Sequence, residues 1–226
     1  MTRIIAGFAG SLTLRVPRAG TRPTSDRVRE AVFSALEARD ALDGATVVDL
    51  YAGSGALGLE SASRGASAVV LVERDPKAAR TAGENARAIA TAAAKNKRPA
   101  PRIEVVTGSV RSFLDGSPAL NTDTVFLDPP YDLGEDDLAA DLAGVLPLLR
   151  EDAVVVVERS SRSPEPRWPS GLERERRKDY GETTIWWASP ASPASPAPPA
   201  PPASPASPAP PAPPAPPASP ASPAAG

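Results

Sequence analysis

Two short motifs in this chain carry residue types that could act together on an amino group attached to a planar ring. The first is Asp128-Pro129-Pro130-Tyr131, which follows the apolar run of residues 124–127. The Asp128 carboxylate and the Pro129 carbonyl could accept both N–H bonds of an exocyclic amine and aim its lone pair at an electrophile. Consecutive prolines would hold these acceptors in place, and Tyr131 could stack on the ring. The motif therefore indicates group transfer to such an amine, with Asp128 also able to take up the released proton.

The second motif is a glycine-rich turn after another apolar run, where residues 49–58 read Asp-Leu-Tyr-Ala-Gly-Ser-Gly-Ala-Leu-Gly. Gly53, Gly55 and Gly58 have the spacing G-x-G-x-x-G, which by itself fits NAD or another nucleotide as well as S-adenosylmethionine. Asp49 favours S-adenosylmethionine, because a carboxylate there could meet a cationic amino-acid group and would repel a pyrophosphate. Together the two motifs predict an S-adenosylmethionine-dependent N-methyltransferase with a nucleobase as its substrate.

A third candidate is the acidic end of the next apolar run, Val69-Val70-Leu71-Val72-Glu73. An acidic residue about 20 positions beyond a glycine-rich turn can accept hydrogen bonds from both ribose hydroxyls of a cofactor. Glu73 is the candidate for this role, although a solvated strand-end carboxylate would look the same. Asp75 is instead expected to cap a helix that begins at Pro76.

The composition excludes several other kinds of chemistry, because the 226 residues include neither Cys nor His. Disulfides, thiolate catalysis and Cys-ligated metal are therefore ruled out, and the commonest general base and metal ligand is missing. Methylation of a pyrimidine ring carbon, which normally needs a Cys nucleophile, is excluded as well, and no metal site is expected. The chain has neither a signal peptide nor an apolar run near about 18 residues, so we expect a soluble, cytoplasmic protein.

The charge is unevenly distributed. The net charge of −2 argues against a general nucleic-acid binder, but residues 1–39 carry a surplus of four positive charges. Residues 40–188 sum to −6. A basic N-terminal arm on an acidic body is compatible with a local phosphate-contacting patch, although a solvated charged face is equally open.

The elements that must position these residues follow from periodicity. We expect a β hairpin or extended arm near the N terminus, then a helix from about Asp26 to Ala38. Beyond it, apolar strands alternate with helices, which predicts an α/β, Rossmann-like fold with a mostly parallel seven-stranded sheet and helices on both faces. The predicted strands cover residues 46–50, 68–72, 103–107, 124–127, 153–157, 172–180 and 183–188, the last two as an antiparallel hairpin. The predicted helices include one over residues 136–149.

Three regions are therefore expected: an N-terminal arm and helix (1–40), a catalytic domain (41–188) and a tail (189–226). The tail consists of Ser-Pro-Ala and Pro-Pro-Ala units without charge or aromatic residues. It cannot bury enough apolar surface to offset its ordering entropy, so it should be disordered with a polyproline-II bias. Docking to a proline-binding module is less favoured, because no basic residue flanks the prolines.

The chain resembles the RsmD family, which are class I 16S ribosomal RNA guanine-N2 methyltransferases. Four segments carry the resemblance, residues 3–7, 22–30, 49–58 and 128–131, and it extends to about Trp187. It implies methylation of guanine 966 in 16S rRNA. The implied partners are that RNA and the small ribosomal subunit or its assembly intermediate, with the protein acting as a monomer and not at a membrane.

The resemblance also implies roles for individual residues. The target guanine would be held by Asp128, Pro129 and Tyr131. The cofactor pocket would be lined by Asp49, Tyr51, Gly53, Gly55, Glu73 and Thr24. RNA would be contacted by Arg3, Arg22, Arg27 and Arg29. The chain departs from the family pattern at the site for the adenine of the cofactor. This fold often has an acidic or amide residue after the third strand, whereas here Ser109 is the one candidate side chain.

Three other functions remain open from the residues. The same chemistry could act on another planar amine, such as a second RNA base, DNA adenine or a protein glutamine. Methyltransferases that act on such other amines more often have Asn at the position of Asp128. A nucleotide-dependent oxidoreductase would leave the Asp-Pro-Pro-Tyr motif unexplained, and a catalytically silent RNA-binding protein would not need Gly53, Gly55 and Asp128 together.

Overall fold

The computed structural model describes residues 2–16, 25–117 and 120–192 of the chain. An N-terminal hairpin pairs two short strands and is followed by one helix and a region of alternating strands and helices. The strands are β1 (Thr2–Arg3), β2 (Thr13–Leu14), β3 (Thr46–Leu50), β4 (Ala68–Glu73), β5 (Arg102–Thr107), β6 (Thr122–Leu127), β7 (Leu149–Ser160), β8 (Leu172–Tyr180) and β9 (Thr183–Pro190). The helices are α1 (Asp26–Glu37), α2 (Ala56–Ser63), α3 (Pro76–Lys95), α4 (Val110–Gly116) and α5 (Glu135–Val145), with a 3-10 helix over Leu146–Leu148.

The main sheet has seven strands in the order β5-β4-β3-β6-β7-β9-β8. Strands β3 to β7 are mutually parallel, whereas β9 pairs antiparallel with both β7 and β8. The strand order reverses between β3 and β6, and ligands of open α/β sheets bind at such a switch point. This architecture confirms the predicted Rossmann-like, mostly parallel sheet.

Two apolar layers cover the sheet, because the central strands are Val/Leu-rich and buried on both faces. One layer packs the N-terminal arm, α1, α2 and α3 against the sheet around Phe33 and Phe126, whose ring centroids are 5.8 Å apart. The other packs α4 and α5 around Leu138 and Leu142. The arm is therefore part of the core, since Ile4 and Leu14 are fully buried within the first layer.

Helix boundaries follow the expected capping residues, with one exception. Ser25 caps α1 by accepting the Val28 N–H, and Asp75 caps α3 by accepting the Lys77 N–H. The prediction of a helix over residues 136–149 is wrong at its C-terminal end, because α5 ends at Val145 and a 3-10 turn follows. Pro147 lacks the N–H that a further α-helical turn would require, and Leu149 already begins β7.

The outer strands of the sheet are strongly charged. Strand β8 contains seven consecutive charged residues and is exposed along nearly its whole length. At the opposite edge, β5 pairs Arg102 with Glu104 at 3.4 Å. Strand β9 runs to Pro190, two residues beyond the predicted end of the domain at 188. Beyond residue 192 the predicted disordered tail lies outside the described residues. None of the described helices is long and apolar enough to cross a membrane.

Candidate active site

The two motifs lie beside each other at the carboxyl edge of the sheet. Strand β3 lies between β4 and β6, and Leu50 is in register with both Val72 and Leu127. The glycine-rich turn, Glu73 and Asp128 all follow directly after this row of three residues. Because adjacent strands are about 4.8 Å apart, the register brings these groups together at the switch point.

The glycine-rich turn depends on the lack of side chains at its glycines. Gly53 and Gly55 have positive φ angles, +55° and +82°. A Cβ atom on Gly55 would lie 2.9 Å from Leu71 Cδ1, and one on Gly58 would lie 2.4 Å from Leu71 Cδ2. Glycine at these positions therefore lets α2 start directly against β4, as the third glycine of such turns does.

Asp49 is only 1% exposed, and its Oδ2 accepts the Gly58 N–H at 2.9 Å. The pKa of this carboxyl is raised to about 7, chiefly by burial and in smaller part by the charges of Asp128 and Glu73, against the lowering effect of the Gly58 N–H. Three carboxylates thus repel one another at the switch point. A bound cation would relieve that repulsion, so the site fits the cationic amino-acid and sulfonium groups of S-adenosylmethionine better than a pyrophosphate.

Glu73 contacts the glycine-rich turn with one carboxylate oxygen and the start of α3 with the other. Oε2 accepts the Gly53 N–H at 2.8 Å and Oε1 accepts the Asp75 N–H at 2.7 Å. A carboxylate can accept about four hydrogen bonds, so two positions remain for ribose hydroxyls. The predicted ribose contact of Glu73 therefore stays a prediction that this geometry allows.

Tyr51 directs its hydroxyl towards α5. Its φ of +67° is unusual for a residue with a side chain, and the hydroxyl donates a hydrogen bond to Asp141. Arg111 Nη2 lies 3.0 Å from the other oxygen of Asp141, so three side chains connect the turn to α4 and α5. Burial, followed by the bond to Asp141, raises the pKa of Tyr51. Because the hydroxyl is bonded to Asp141, contact of Tyr51 with the cofactor stays a prediction that only its aromatic ring could fulfil.

The Asp-Pro-Pro-Tyr turn has a buried and an exposed part. Pro129 is buried, whereas the Tyr131 side chain is 72% exposed. The turn closes where the Leu133 N–H donates to the Pro130 carbonyl at 3.0 Å. The buried Arg159 of β7 donates to the Leu133 carbonyl at 3.5 Å and forms an ion pair with Glu135. Arg159 therefore supports the turn, a role that its position in β7 did not reveal.

Asn85 is another functional residue that the sequence did not reveal. Its side chain is buried in α3, and Nδ2 donates to the carbonyls of Ser54 and Arg15, each at 2.9 Å. Its Oδ1 accepts the Arg15 N–H at 2.9 Å. One amide thus joins the glycine-rich turn to the end of the N-terminal arm. The available signal was one polar residue on the otherwise apolar stripe of α3 that contains Ala78, Ala82, Ile89 and Ala93.

The N-terminal arm is held on α2 by buried polar contacts. The buried Glu60 accepts the Ile5 and Ala6 N–H groups at 2.6 and 3.0 Å. Ser63 Oγ accepts the Ala9 N–H at 3.0 Å. Gly7 has a φ of +79°, and a Cβ atom there would lie 1.9 Å from the Ser63 carbonyl oxygen. The segment of residues 3–7 therefore serves to attach the arm.

The predicted RNA-contacting arginines do not form one group. Arg3 and Arg27 are exposed, whereas Arg22 lies outside the described residues, as does the predicted cofactor residue Thr24. Arg29 is 1% exposed and donates to the Arg3 carbonyl at 2.8 Å and to Asp26 at 2.7 Å. The prediction that Arg29 contacts RNA is therefore wrong, since its guanidinium is buried where α1 meets the arm and donates to the arm.

Ser109 stands after β5 and acts as the cap of α4, where its Oγ accepts the Ser112 N–H at 3.1 Å. The neighbouring Gly108 N–H donates to the Glu73 carbonyl at 3.0 Å, which places this segment beside the end of β4. A role for Ser109 at the adenine stays a prediction.

A switch-point site with this glycine-rich turn and an Asp-Pro-Pro-Tyr turn on a seven-stranded sheet defines a class I methyltransferase. The fold is similar to that of the rRNA methyltransferase aviRa from Streptomyces viridochromogenes, with a TM-score of 0.60 over 76% of this chain and 88% of that one, at 18% identity. It is also similar to a hypothetical protein of Thermus thermophilus, with a TM-score of 0.64 and 31% identity over 83% of this chain and 98% of that one.

The chain belongs to the family described as "Conserved hypothetical protein 95", the RsmD family, whose sequence model matches residues 2–189. It is 35% identical over 183 residues to the Ribosomal RNA small subunit methyltransferase D of Escherichia coli K12, which covers 80% of this chain and 85% of that protein. The resemblance drawn from the four sequence segments is thereby confirmed.

Proposed function

We propose that this protein uses S-adenosylmethionine to methylate the exocyclic N2 amine of a guanine in 16S rRNA, at position 966. The observation that carries the proposal is the register of β3 between β4 and β6, which brings the glycine-rich turn and the Asp-Pro-Pro-Tyr turn to one edge of the sheet. The relative in Escherichia coli is named as a small-subunit rRNA methyltransferase, which supports ribosomal RNA as the substrate.

The residues of the switch point fit the proposed cofactor. Asp49 and Glu73 would hold its cationic and ribose parts, and the glycines of the turn leave room for close approach of the backbone. When bound, S-adenosylmethionine supplies a methyl group attached to a positively charged sulfur. The protein's own contribution is to bind it next to Asp128 in a site that already has surplus negative charge.

The target amine would be held by the turn after β6. The lone pair of a guanine N2 is delocalised into the ring, so the nitrogen is a poor nucleophile. Acceptance of its two N–H bonds by the Asp128 carboxylate and the Pro129 carbonyl would favour a pyramidal nitrogen. Fixed, in-line placement of reacting groups can lower a barrier by roughly 7–11 kcal/mol. The proton released from the nitrogen would pass to Asp128.

Tyr131 would recognise the base by stacking. An aromatic ring that is 72% exposed next to two prolines is a poor core residue but suits a base that has left its stack. Stacking of this kind contributes roughly 1–3 kcal/mol per base, without strong dependence on sequence. Selection of one nucleotide would then depend on contacts outside this turn.

The test is transfer of a labelled methyl group to small ribosomal subunits that lack this methylation, with the label mapped by nuclease digestion and mass spectrometry. Label on N2 of guanine 966 is the expected result, and label on another base, on DNA or on protein would overturn the proposed target. Asp128→Ala should bind S-adenosylmethionine but transfer no methyl group. Asp132→Ala, which removes an exposed carboxylate four positions along the same loop, is the matched control and should retain transfer.

A further inference from the structure

The exposed face of α3 and the loop after it are strongly basic. Residues 76–98 contain six basic side chains and one acidic one, Glu84, in a chain whose net charge is −2. We call the six exposed cations the α3 basic face: Lys77, Arg80, Arg87, Lys95, Lys97 and Arg98. The charge pattern of the N-terminal residues alone did not point to this helix.

Helical spacing places the cations of α3 on one stripe. Lys77, Arg80, Arg87 and Lys95 are separated by three, seven and eight residues, so they lie within about 80° of one another around the helix axis. The buried side of the helix is made instead by Ala78, Ala82 and Ile89. A helix of 20 residues is about 30 Å long, so the stripe is long enough to follow several nucleotides.

These cations are largely unneutralised. Glu84 pairs with Arg15 at 2.7 Å and lies 3.8 Å from Arg80. Within the described parts of the chain, no carboxylate forms an ion pair with the other five members of the face. Arg15, at the end of the described arm, keeps 76% of its side chain exposed beside α3 despite its pair with Glu84. A surface that served only solvation would carry both signs interspersed.

The opposite layer of the protein carries unpaired negative charge. Helix α5 begins with three acidic residues, of which Glu135 and Asp136 form ion pairs with Arg159 and Arg167. Asp137 and the preceding Asp132 are exposed and have no ion pair among the described residues. A polyanion would therefore be repelled from the α5 side of the site and attracted to the α3 side. Because α3 begins three residues after Glu73, the basic face starts next to the candidate active site.

From this geometry we infer that the α3 basic face docks the sugar–phosphate backbone of the RNA substrate, next to the nucleotide that enters the site. The inference rests on the proposed function and adds the surface and direction from which the RNA approaches. Phosphate contacts of this kind fix register and orientation without reading sequence. The residues between these cations are Thr81, Glu84, Ala88 and Thr91, and both threonine hydroxyls already donate to backbone carbonyls of α3.

The test neutralises two cations far from the cofactor: Arg87→Gln together with Lys95→Gln. The matched control is Arg162→Gln together with Lys178→Gln. It removes the same charge from two exposed positions, Arg162 in the turn after β7 and Lys178 in β8. For both double variants and the unaltered protein, binding to unmethylated 16S rRNA transcript is measured by filter binding over a range of KCl concentrations. S-adenosylmethionine affinity and thermal midpoint are measured alongside.

The α3 double variant should bind the RNA roughly tenfold more weakly at low salt, with the slope of log K against log [KCl] reduced by about 0.7–0.9 for each phosphate that the variant no longer neutralises. Its KM for RNA should rise, with kcat, cofactor affinity and thermal midpoint unchanged. The control should behave like the unaltered protein. An unchanged slope in the α3 variant, or an equal loss in the control, would overturn the docking surface.

The two proposals fail in different ways. If the unaltered protein methylates rRNA and the α3 variant binds RNA normally, the docking surface alone is wrong. If the unaltered protein neither methylates nor binds rRNA, the proposed function is wrong and the docking surface with it. Loss of binding to anionic phospholipid vesicles in the α3 variant, with RNA binding intact, would assign the face to a membrane surface and overturn the inference.

Discussion

Asn85 and Arg15 exchange two hydrogen bonds of 2.9 Å across the junction between α3 and the N-terminal arm, with one donor from each residue. Through the third bond of Asn85, to the Ser54 carbonyl, the arm and the glycine-rich turn are held by one side chain. The conformation of the glycine-rich turn is therefore coupled to the attachment of the arm.

Replacement of Asn85 should test this coupling. Asn85→Ala removes three hydrogen bonds and leaves partly buried backbone groups of Arg15 and Ser54 unpaired, so the free energy of unfolding should fall by roughly 1–3 kcal/mol. Calorimetric affinity for S-adenosylmethionine should fall about tenfold, equivalent to roughly 1.4 kcal/mol. The control is Asn96→Ala, which contacts the arm at the Phe8 carbonyl but not the turn. Equal loss of cofactor affinity in both variants would contradict the coupling.

The charge of Asp49 should make cofactor binding depend on pH. Burial raises the pKa of this carboxyl from 3.8 to about 7 in the ligand-free protein. A bound cation needs the ionised form, so affinity for S-adenosylmethionine should be constant above pH 7 and fall by up to about tenfold for each pH unit below it. Titration calorimetry in buffers of different ionisation enthalpy should detect a proton released on binding near pH 7. Affinity independent of pH through this range would exclude Asp49 as the cation's partner.

The same group should affect stability with the opposite sign. A carboxyl whose pKa is raised on folding contributes stability below its unfolded pKa of 3.8, and this is lost as the pH rises through about 7. Asp49→Asn, which can still accept the Gly58 N–H, should therefore raise the free energy of unfolding at pH 8 by an amount on the order of 1–4 kcal/mol and weaken cofactor binding. Chemical denaturation of both proteins at acidic and alkaline pH measures this, and a less stable variant at pH 8 would refute it.

The hydroxyl of Tyr51 should contribute to the stability of the fold. Tyr51→Phe removes the donor to Asp141, whose pKa is already raised by burial. Arg111 then remains to hold that carboxylate by an ion pair from α4. The free energy of unfolding should fall by roughly 1–3 kcal/mol. Tyr180→Phe, at the β8–β9 turn, is the matched control and should change stability by less than half as much in urea denaturation.

Gly7 should tolerate no side chain. Its φ of +79° and the 1.9 Å separation of a Cβ atom from the Ser63 carbonyl mean that Gly7→Ala must detach the arm from α2. We expect a loss of about 2 kcal/mol or more in unfolding free energy and faster proteolysis before Asp26. Gly83→Ala, in open space on α3, is the control and should stabilise by up to about 1 kcal/mol. A Gly7→Ala protein as stable as the unaltered one would show that the arm can reposition.

The sheet and the two motifs were predictable because each has a strong local signal. Continuous Val and Leu runs define the parallel strands. Gly55 and Gly58 reflect steric limits against Leu71, and Gly53 reflects a positive φ angle. The helix after the Asp-Pro-Pro-Tyr turn was extended too far, because apolar Leu146, Leu148 and Leu149 continue a helical pattern. Pro147 interrupts that pattern, and Leu149 belongs to β7.

The supporting residues were not predictable, because their roles depend on contacts between distant parts of the chain. Arg29 lies in a segment that resembles an RNA-contacting one, yet its guanidinium is buried against the Arg3 carbonyl. Asn85 and Arg159 contact residues 70 and 26 positions away. Local periodicity places such side chains on a helix or strand but does not identify the backbone group they will meet.

The charged edge strands bear on self-association. A flat edge with unpaired N–H and C=O groups invites a second molecule to extend the sheet, and charged side chains there oppose such pairing. With seven successive ionised residues on β8 and the Arg102–Glu104 pair on β5, a neighbouring copy would have to strip water from rows of charged side chains before any ladder could form. Concentrated solutions of this protein should therefore resist fibril-like, strand-to-strand growth even though its sheet is open at both sides.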